Sequence, residues 1–173
     1  MEKMIVYGSC YGNAKKYAEK FSEMTQIPVT SYEDIKTLDA YEEVIHFGGL
    51  YAGGVKGLKN TVKLLPQDAR LIIVTVGVAD VTVKQNTDHI KKMIAQCIPE
   101  TVLERTTILH LRGGIDYSKL SFIHKTMMSF VYKQVKNKPD EEKTAEDRGM
   151  IETYGHKVDF TDFDSLQQVL DVI

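Results

Sequence analysis

Short apolar runs alternate with amphipathic stretches along most of this chain, and this alternation is the feature that most constrains its fold. The apolar runs lie at 4–8, 27–32, 43–49, 70–77 and 106–114. The stretches that repeat apolar residues at helical spacing are 12–25, 54–65 and 83–98. Strands that are apolar on both faces and alternate with helices form a parallel sheet covered by helices on both sides. We therefore predict an α/β fold with three layers and a five-stranded parallel sheet.

The C-terminal part of the chain interrupts this alternation. Residues 118–135 predict a helix with a wide apolar surface, and residues 136–149 are so rich in charge that they predict a solvated loop. The last segment predicts a closing helix with Thr161 as its N-cap. Its buried stripe would consist of Phe163, Leu166, Val169, Leu170 and Ile173. The simplest interpretation is a single domain at 1–173 with an insertion at about 115–157.

Composition and charge exclude several classes of protein. The chain has 173 residues, of which 43% are hydrophobic and 27% charged, as in an ordinary globular domain. A net charge of −2 gives no electrostatic basis for binding nucleic acid. No apolar run approaches the ~18 residues that a membrane-spanning helix needs, so membrane contact is at most peripheral. The two cysteines, Cys10 and Cys97, lack a paired spacing, which predicts a reducing, cytoplasmic location.

The histidines show no spacing typical of a metal site, so we predict no metal. His46 and His110 lie within predicted strands, which favours a packing role for both. Arg112 is near the end of the fifth predicted strand, where it would lie at the surface or meet a substrate carboxylate. No residue stands out as a catalytic acid, base or nucleophile.

The loop after the first strand has the residues of a phosphate site. It reads GSCYGNA at residues 8–14 and leads into an amphipathic helix. It is not a Walker P-loop, because only three residues separate Gly8 from Gly12 and Asn13 stands directly after Gly12 where that motif has lysine. It also lacks the glycines of a dinucleotide fingerprint. Hydroxyls and backbone N–H groups at a helix N-terminus still attract a phosphate monoester. The predicted phosphate contacts are Ser9, Cys10, Tyr11, Gly12, Asn13 and Ala14.

This loop resembles the phosphate loop of flavodoxin-like FMN proteins. Ser9, Gly12 and Asn13 match the pattern of that family, and Ala18 matches a later small position. Tyr11 and Ala14 depart from it, because the family usually has hydroxyl residues at these places, and the departure implies weaker phosphate binding. The resemblance implies a flavodoxin-like three-layer sandwich with strand order 2-1-3-4-5 and FMN as the cofactor.

Longer segments resemble the flavodoxin-domain branch that contains the oxygen-independent protoporphyrinogen dehydrogenases. They lie at 44–62, 109–135 and 157–170, and they match in pattern and position more than in residue identity. In that branch, too, a helical insertion precedes the final helix.

By the same resemblance, two loops contact the flavin ring. The predicted contacts are Gly49, Leu50, Tyr51, Ala52 and Gly53 in the first loop and Gly77, Val78, Ala79 and Asp80 in the second. Tyr51 lies among glycines and is expected to face the cofactor. Asp80 could disfavour an anionic reduced flavin by charge repulsion, or it could cap the following helix.

The resemblance implies a flavin-dependent oxidoreductase similar to protoporphyrinogen dehydrogenase. Its redox partner would be a protein or a small-molecule acceptor such as a quinone. Two alternatives remain: an electron carrier without its own substrate, and a flavin-free binding module on the same fold. One apolar side of helix 118–135 is expected to pack as core or as a lid over the sheet edge, and it consists of Leu120, Ile123, Met127, Phe130 and Val131. The other side could meet a partner, a quinone or a membrane surface, and it consists of Phe122, Met128 and Tyr132.

Overall fold

The computed structural model describes residues 1–51 and 53–173, which form an α/β fold around a parallel sheet. The elements in chain order are β1 (Lys3–Gly8), α1 (Asn13–Thr25), β2 (Val29–Ser31), β3 (Glu43–Tyr51), β4 (Gly54–Val55), α2 (Leu58–Leu64), β5 (Arg70–Gly77), α3 (Lys84–Ala95), α4 (Glu100–Leu103), β6 (Thr106–Arg112), β7 (Gly114–Asp116), α5 (Phe122–Lys136), α6 (Ala145–Thr153), β8 (Lys157–Asp159) and α7 (Gln167–Leu170). Short 3₁₀ turns lie at Tyr117–Lys119, Asp140–Glu142 and Phe163–Leu166.

The five parallel strands are ordered β2-β1-β3-β5-β6. This is the predicted order 2-1-3-4-5, because the additional strand β4 only pairs antiparallel with the end of β3. The register places Ile5, Ile45 and Ile72 side by side across three strands, and all three are fully buried. The predicted α/β fold with a central parallel sheet is therefore confirmed.

Helices cover both faces of the sheet, as strands apolar on both sides require. On one face α1 and the C-terminal segment pack on the sheet, and the buried contacts include Phe21, Phe47 and Leu166. On the other face α2 and α3 pack through Leu58 and Ile94. The loops that follow the parallel strands therefore meet at the carboxyl edge of the sheet, between the two helical layers.

The segment between β6 and the C-terminus differs most from the sequence predictions. The charged stretch 136–149, predicted as a loop, contains a 3₁₀ turn and the start of α6. Thr144 and Asp147 begin this helix with a reciprocal capping box, which stabilises it despite its charge. Strands β7 and β8 pair antiparallel with each other. This small sheet ties the two ends of the segment together.

The closing segment begins differently from the prediction. Thr161 is not the N-cap, because Asp162 accepts the hydrogen bond from the Asp164 N–H, at 3.0 Å. The buried Tyr17 hydroxyl accepts the Asp162 N–H at 2.9 Å, and this hydrogen bond holds the N-cap residue in position. The predicted stripe is buried at Leu166 and Val169 and partly buried at Leu170 and Ile173. Phe163, also predicted to be buried, is 41% exposed because it lies in the 3₁₀ turn that precedes α7.

Helix α5 carries no core stripe, so the expectation of a packed face was wrong. Ile123 is 77% exposed and Phe130 63% exposed, although both were assigned to the buried side. Within the helix Val135 is the buried residue. The reason is that α5 packs beside α6 rather than on the sheet. In the described part of the chain, no helix has the length and apolar character needed to span a membrane.

Candidate functional site

The loops that follow β1, β3 and β5 come together at the carboxyl edge of the sheet. The rings of Tyr11 and Tyr51 have centroids 6.0 Å apart, which joins the first loop to the second. Leu50 packs over Gly77, where a Cβ atom would lie 2.7 Å from the Leu50 Cδ1, and this joins the second loop to the third. The structure thus brings the three predicted groups of site residues to one surface.

The first loop ends at an open helix N-terminus. Gly12 is the N-cap of α1 with a φ of 94°, and no side chain caps the helix there. The first N–H groups of a helix have no acceptor within the helix, and here Lys16 N–H is the first to bond back, to the Gly12 carbonyl at 2.9 Å. Ser9 Oγ accepts the Gly12 N–H at 2.9 Å, so its own hydroxyl hydrogen can be donated elsewhere. The donor set suits a phosphate group.

The predicted phosphate residues contribute in different ways. The Asn13 side chain donates to the Gly114 carbonyl at 2.6 Å, which ties the loop to β7 and leaves its backbone N–H at the helix end. The Ala14 side chain is buried in the core, so this residue too can offer only its backbone N–H. The Cys10 thiol is exposed. The six predicted contacts share one loop, and their contact with phosphate stays a prediction.

The Tyr11 hydroxyl contacts the beginning of α5 instead of its own loop. It accepts the backbone N–H of Ser121 at 3.1 Å and forms a hydrogen bond of 2.5 Å with Nδ1 of His124. Ser121 is the N-cap of α5, and its own side chain accepts the His124 N–H. Tyr11, which departs from the family pattern, therefore links the candidate phosphate loop to the first turn of α5.

Tyr11, Tyr51 and His124 form an aromatic cluster at this edge. The His124 ring lies 5.6 Å from Tyr11 and 5.4 Å from Tyr51, between ring centroids. Burial, reinforced by the neighbouring Cys10 thiol, raises the pKa of Tyr51, so its hydroxyl stays protonated at neutral pH. Sequence reasoning missed His124, because no local pattern shows which loop the distant helix α5 will contact.

The second loop is a tight hairpin rather than the start of a helix. Leu50 pairs with Val55 and Tyr51 with Gly54, so the helix predicted at 54–65 begins only at Leu58. Gly53 turns the hairpin with a φ of 77°, and Gly49 is buried in β3. Ala52, also predicted as a cofactor contact, lies outside the described residues.

Arg112 holds the third loop in place. Its Nη2 donates to the Val78 carbonyl at 2.9 Å, and its guanidinium lies over the Phe160 ring, 3.8 Å from the centroid. The chain therefore uses Arg112 to position the loop of Gly77 and Ala79, a role that neither of the two earlier interpretations included.

Asp80 caps a turn. Its Oδ1 accepts both the Thr82 N–H, at 2.9 Å, and the Thr82 hydroxyl, at 2.7 Å, and these hydrogen bonds lower the pKa of Asp80. The interpretation of Asp80 as the cap of the following helix was therefore wrong, because Asp80 caps the turn before α3 and the N-cap of α3 is Val83.

A cavity of about 330 Å³ adjoins the hairpin on the α2 and α3 side. Tyr51 and Lys56 line it from the hairpin, and Cys97 lines it beyond the end of α3. The Lys56 ammonium lies over the Tyr32 ring at 5.5 Å, which closes another side. This volume is in the lower range of small-molecule pockets.

The histidines of the sheet have packing roles. His46 is fully buried; its Nε2–H donates to the Lys56 carbonyl, and its Nδ1 bonds the Thr61 hydroxyl, each at 2.9 Å. Burial lowers the pKa of His46 to about 4 and that of His110 to about 4. Among the residues that the structure describes, no three His, Cys, Asp or Glu side chains are arranged to hold a metal ion.

Family comparison agrees with this geometry. A family model described as the flavodoxin domain matches residues 4–142. This chain belongs to the flavodoxin domain family. Membership supports FMN as the cofactor, and the open N-terminus of α1 with the Ser9 hydroxyl has donors that fit its phosphate. A search of curated proteins found no significant match.

Solved structures with a similar fold are distant. A flavoprotein in complex with FMN from Lactobacillus acidophilus is 12% identical, over 64% of this chain and 91% of that chain, with a TM-score of 0.41. A flavodoxin from the domain Archaea is 17% identical over 65% and 85%, with a TM-score of 0.39. The Trp repressor binding protein from Bacillus subtilis is 14% identical over 64% and 82%, with a TM-score of 0.40. The sheet order and the family match establish the fold.

Proposed function

We propose that this flavodoxin-domain protein binds FMN and acts in electron transfer as a flavin-dependent oxidoreductase. The observation that carries the proposal is the open N-terminus of α1 lying beside the cluster of Tyr11, Tyr51 and His124. Donors for a phosphate and flat walls for an aromatic ring thus share one edge of the sheet. When bound, FMN would supply one- and two-electron redox chemistry.

The first loop would hold the phosphate without a lysine ligand. The Ser9 hydroxyl and the N–H groups of Asn13 and Ala14 are the proposed donors, and the dipole of the 13-residue helix α1 favours the negative charge. The Tyr11 hydroxyl is already bonded to α5. Because neither Tyr11 nor Ala14 would then offer a hydroxyl to the phosphate, this arrangement supports the expectation that phosphate binding is weaker than is usual in the family.

The remaining residues would form the walls around the flavin ring and exclude water from it. Tyr51 keeps its proton and offers a neutral wall, while Leu50 packs against Gly77 and closes the space between the two loops. Arg112 fixes the Val78 carbonyl at the opposite side. The hydrogen bond between the Tyr11 hydroxyl and His124 Nδ1 provides a place where a proton can be held beside this wall.

We favour an enzyme similar to protoporphyrinogen dehydrogenase over a simple electron carrier. The supporting observation is that the insertion contributes to the site, because His124 of α5 contacts both Tyr11 and Tyr51. Residues of α5 at the cofactor edge provide additional surface, on which an enzyme would bind its own substrate. The proposed electron acceptor is a quinone or a redox protein, and the proposed location is the cytoplasm.

The proposal can be tested in two stages. Purified protein is incubated with FMN, freed of unbound cofactor and examined for a retained flavin absorption spectrum with shifted bands. Loaded protein is then mixed with protoporphyrinogen and a quinone, and porphyrin formation is followed by fluorescence. Porphyrin formation above that of free FMN supports the enzyme. A retained flavin without porphyrin formation indicates an electron carrier, and no retained flavin indicates a flavin-free module.

A further inference from the structure

Helix α5 presents an apolar surface that the rest of the chain does not cover. Phe122 is 84% exposed, Ile123 77% and Phe130 63%. At 100° per residue these three positions lie on one side of a helix, and we call them the α5 face. A contiguous group of exposed large apolar side chains usually marks an interaction surface.

The α5 face lies in a strongly basic segment of a slightly acidic protein. The chain carries a net charge of −2, but residues 117–138 contain five lysines and no aspartate or glutamate. Within the described residues, salt bridges in this segment are confined to Lys138, which pairs with Asp147 at 2.9 Å. The lysines without such a pair are Lys119, Lys125, Lys133 and Lys136.

Acidic residues follow α5 in the chain, in a 3₁₀ turn and in α6, which packs beside α5. Asp140, Glu141 and Glu142 follow the C-terminal end of α5, in a separate 3₁₀ turn. Asp140 forms an ion pair with Lys143 at 2.7 Å, and its backbone carbonyl accepts a hydrogen bond from Arg148. Residues 117–138 themselves carry lysines and no carboxylate, next to the exposed apolar residues.

We propose that the α5 face binds peripherally to an anionic membrane surface. An amphipathic helix with exposed aromatic residues and flanking lysines lies in the plane of the interface, where its apolar side chains enter the headgroup region. Its lysines are attracted by the negative surface potential of anionic lipids. The partner must combine an apolar region, into which the side chains can insert, with negative charge for the lysines, and an anionic bilayer has both.

A second copy of the chain fits this surface less well. A symmetric dimer through the α5 face would bring the same patch of each copy together, so lysines would face lysines. Like charges across an interface are unfavourable. Because His124 of the same helix contacts Tyr11, membrane binding would hold the candidate site close to the bilayer surface.

Vesicle flotation tests the proposal with the full chain. The protein is mixed with vesicles of pure phosphatidylcholine or of equimolar phosphatidylcholine and phosphatidylserine, and the floating fraction is measured at low and high salt. We expect the protein to float with the anionic vesicles, and high salt to reduce the bound fraction severalfold. The triple variant Phe122→Ser, Ile123→Ser, Phe130→Ser and the double variant Lys125→Glu, Lys133→Glu should each lose this binding.

Matched controls lie on other helices. Met24→Ser removes an apolar residue of α1 that is 46% exposed, and Lys91→Glu with Lys92→Glu reverses two exposed lysines of α3. Both controls should bind vesicles like the unaltered protein, and circular dichroism should show that every variant is folded. Absence of flotation with anionic vesicles, or flotation that the α5 variants leave unchanged, would overturn the proposal. So would a dimer without lipid that the triple variant makes monomeric.

Discussion

His46 is a buried base whose protonation the fold opposes. Its Nε2–H donates to the Lys56 carbonyl, so its Nδ1 serves as the acceptor for the Thr61 hydroxyl. In this neutral form both ring nitrogens are hydrogen-bonded, and burial lowers the pKa of His46 to about 4. In the unfolded chain the pKa of this histidine would return to its ordinary value of about 6.5.

This difference predicts that acid destabilises the protein. As the pH falls from about 6.5 to about 4, the unfolded state takes up a proton that folded His46 does not bind, and this histidine alone should lower the free energy of unfolding by about 3 kcal/mol. His110, whose pKa is also lowered to about 4, adds to the drop in both the unaltered protein and the variant. Urea denaturation of the unaltered protein and of His46→Gln across this range measures the effect. The variant should show a smaller slope, and exposed His156→Gln should keep the original one. Equal slopes for the unaltered protein and His46→Gln would contradict the assignment.

Gly8 is required where β1 meets the β4–α2 connection. A Cβ atom at this position would lie 2.0 Å from the Lys56 carbonyl oxygen, which belongs to the backbone and cannot turn aside. Gly8→Ala should therefore lower the free energy of unfolding by about 1–3 kcal/mol. In α6, a Cβ at Gly149 meets nothing within 4 Å, so Gly149→Ala should raise it by about 0.5–1 kcal/mol. Denaturation midpoints in urea measure both, and a stable Gly8→Ala would refute the close contact.

Single residues also show where sequence reasoning stops. The pattern around Ser9 and Gly12 indicated a phosphate loop because a strand, a glycine turn and a helix follow one another locally. The parts played by His124 and Arg112 were not predictable, since each depends on a contact with a loop distant in the chain. A local sequence pattern identifies a loop, but which residues contact that loop is determined by tertiary packing.

Helix α5 shows how an apolar pattern can mislead. Its apolar residues at helical spacing predicted a buried face, but periodicity gives only the side on which residues lie, not what covers that side. The first turn of α5 is held by Tyr11 and its middle by α6, including a stack of Tyr132 on Tyr154 with centroids 4.0 Å apart. The apolar side consequently stays exposed.

The contact between Tyr11 and α5 gives a direct prediction. Tyr11→Phe removes the hydroxyl that accepts the Ser121 N–H and bonds His124, so amide hydrogen exchange at 121–126 should become faster. The matched change Tyr132→Phe keeps the stack on Tyr154 and should leave exchange in this turn as it was. Exchange measured by mass spectrometry tests both variants. An unchanged first turn in Tyr11→Phe would show that the hydroxyl does not hold α5.

The molecule as a whole was largely predictable, because long apolar strands and helical spacing determine a parallel sheet with little ambiguity. The buried alignment of Ile5, Ile45 and Ile72 shows why the five strands were recognised. The pairs β3–β4 and β7–β8 were missed because strands of two or three residues have no periodicity to detect. For this reason the small sheet that joins the two ends of the segment 114–159 was not predicted.

The central claim is that the N-terminus of α1 binds the phosphate of FMN, and the most direct measurement compares FMN with riboflavin, which lacks the phosphate. In a fluorescence titration, FMN should bind at least about tenfold more tightly, since charge-assisted hydrogen bonds and the helix dipole act only on the phosphate. Ser9→Asp should weaken FMN binding by charge repulsion and leave riboflavin binding nearly unchanged. Equal affinities for the two flavins, or no binding of FMN, would contradict the account.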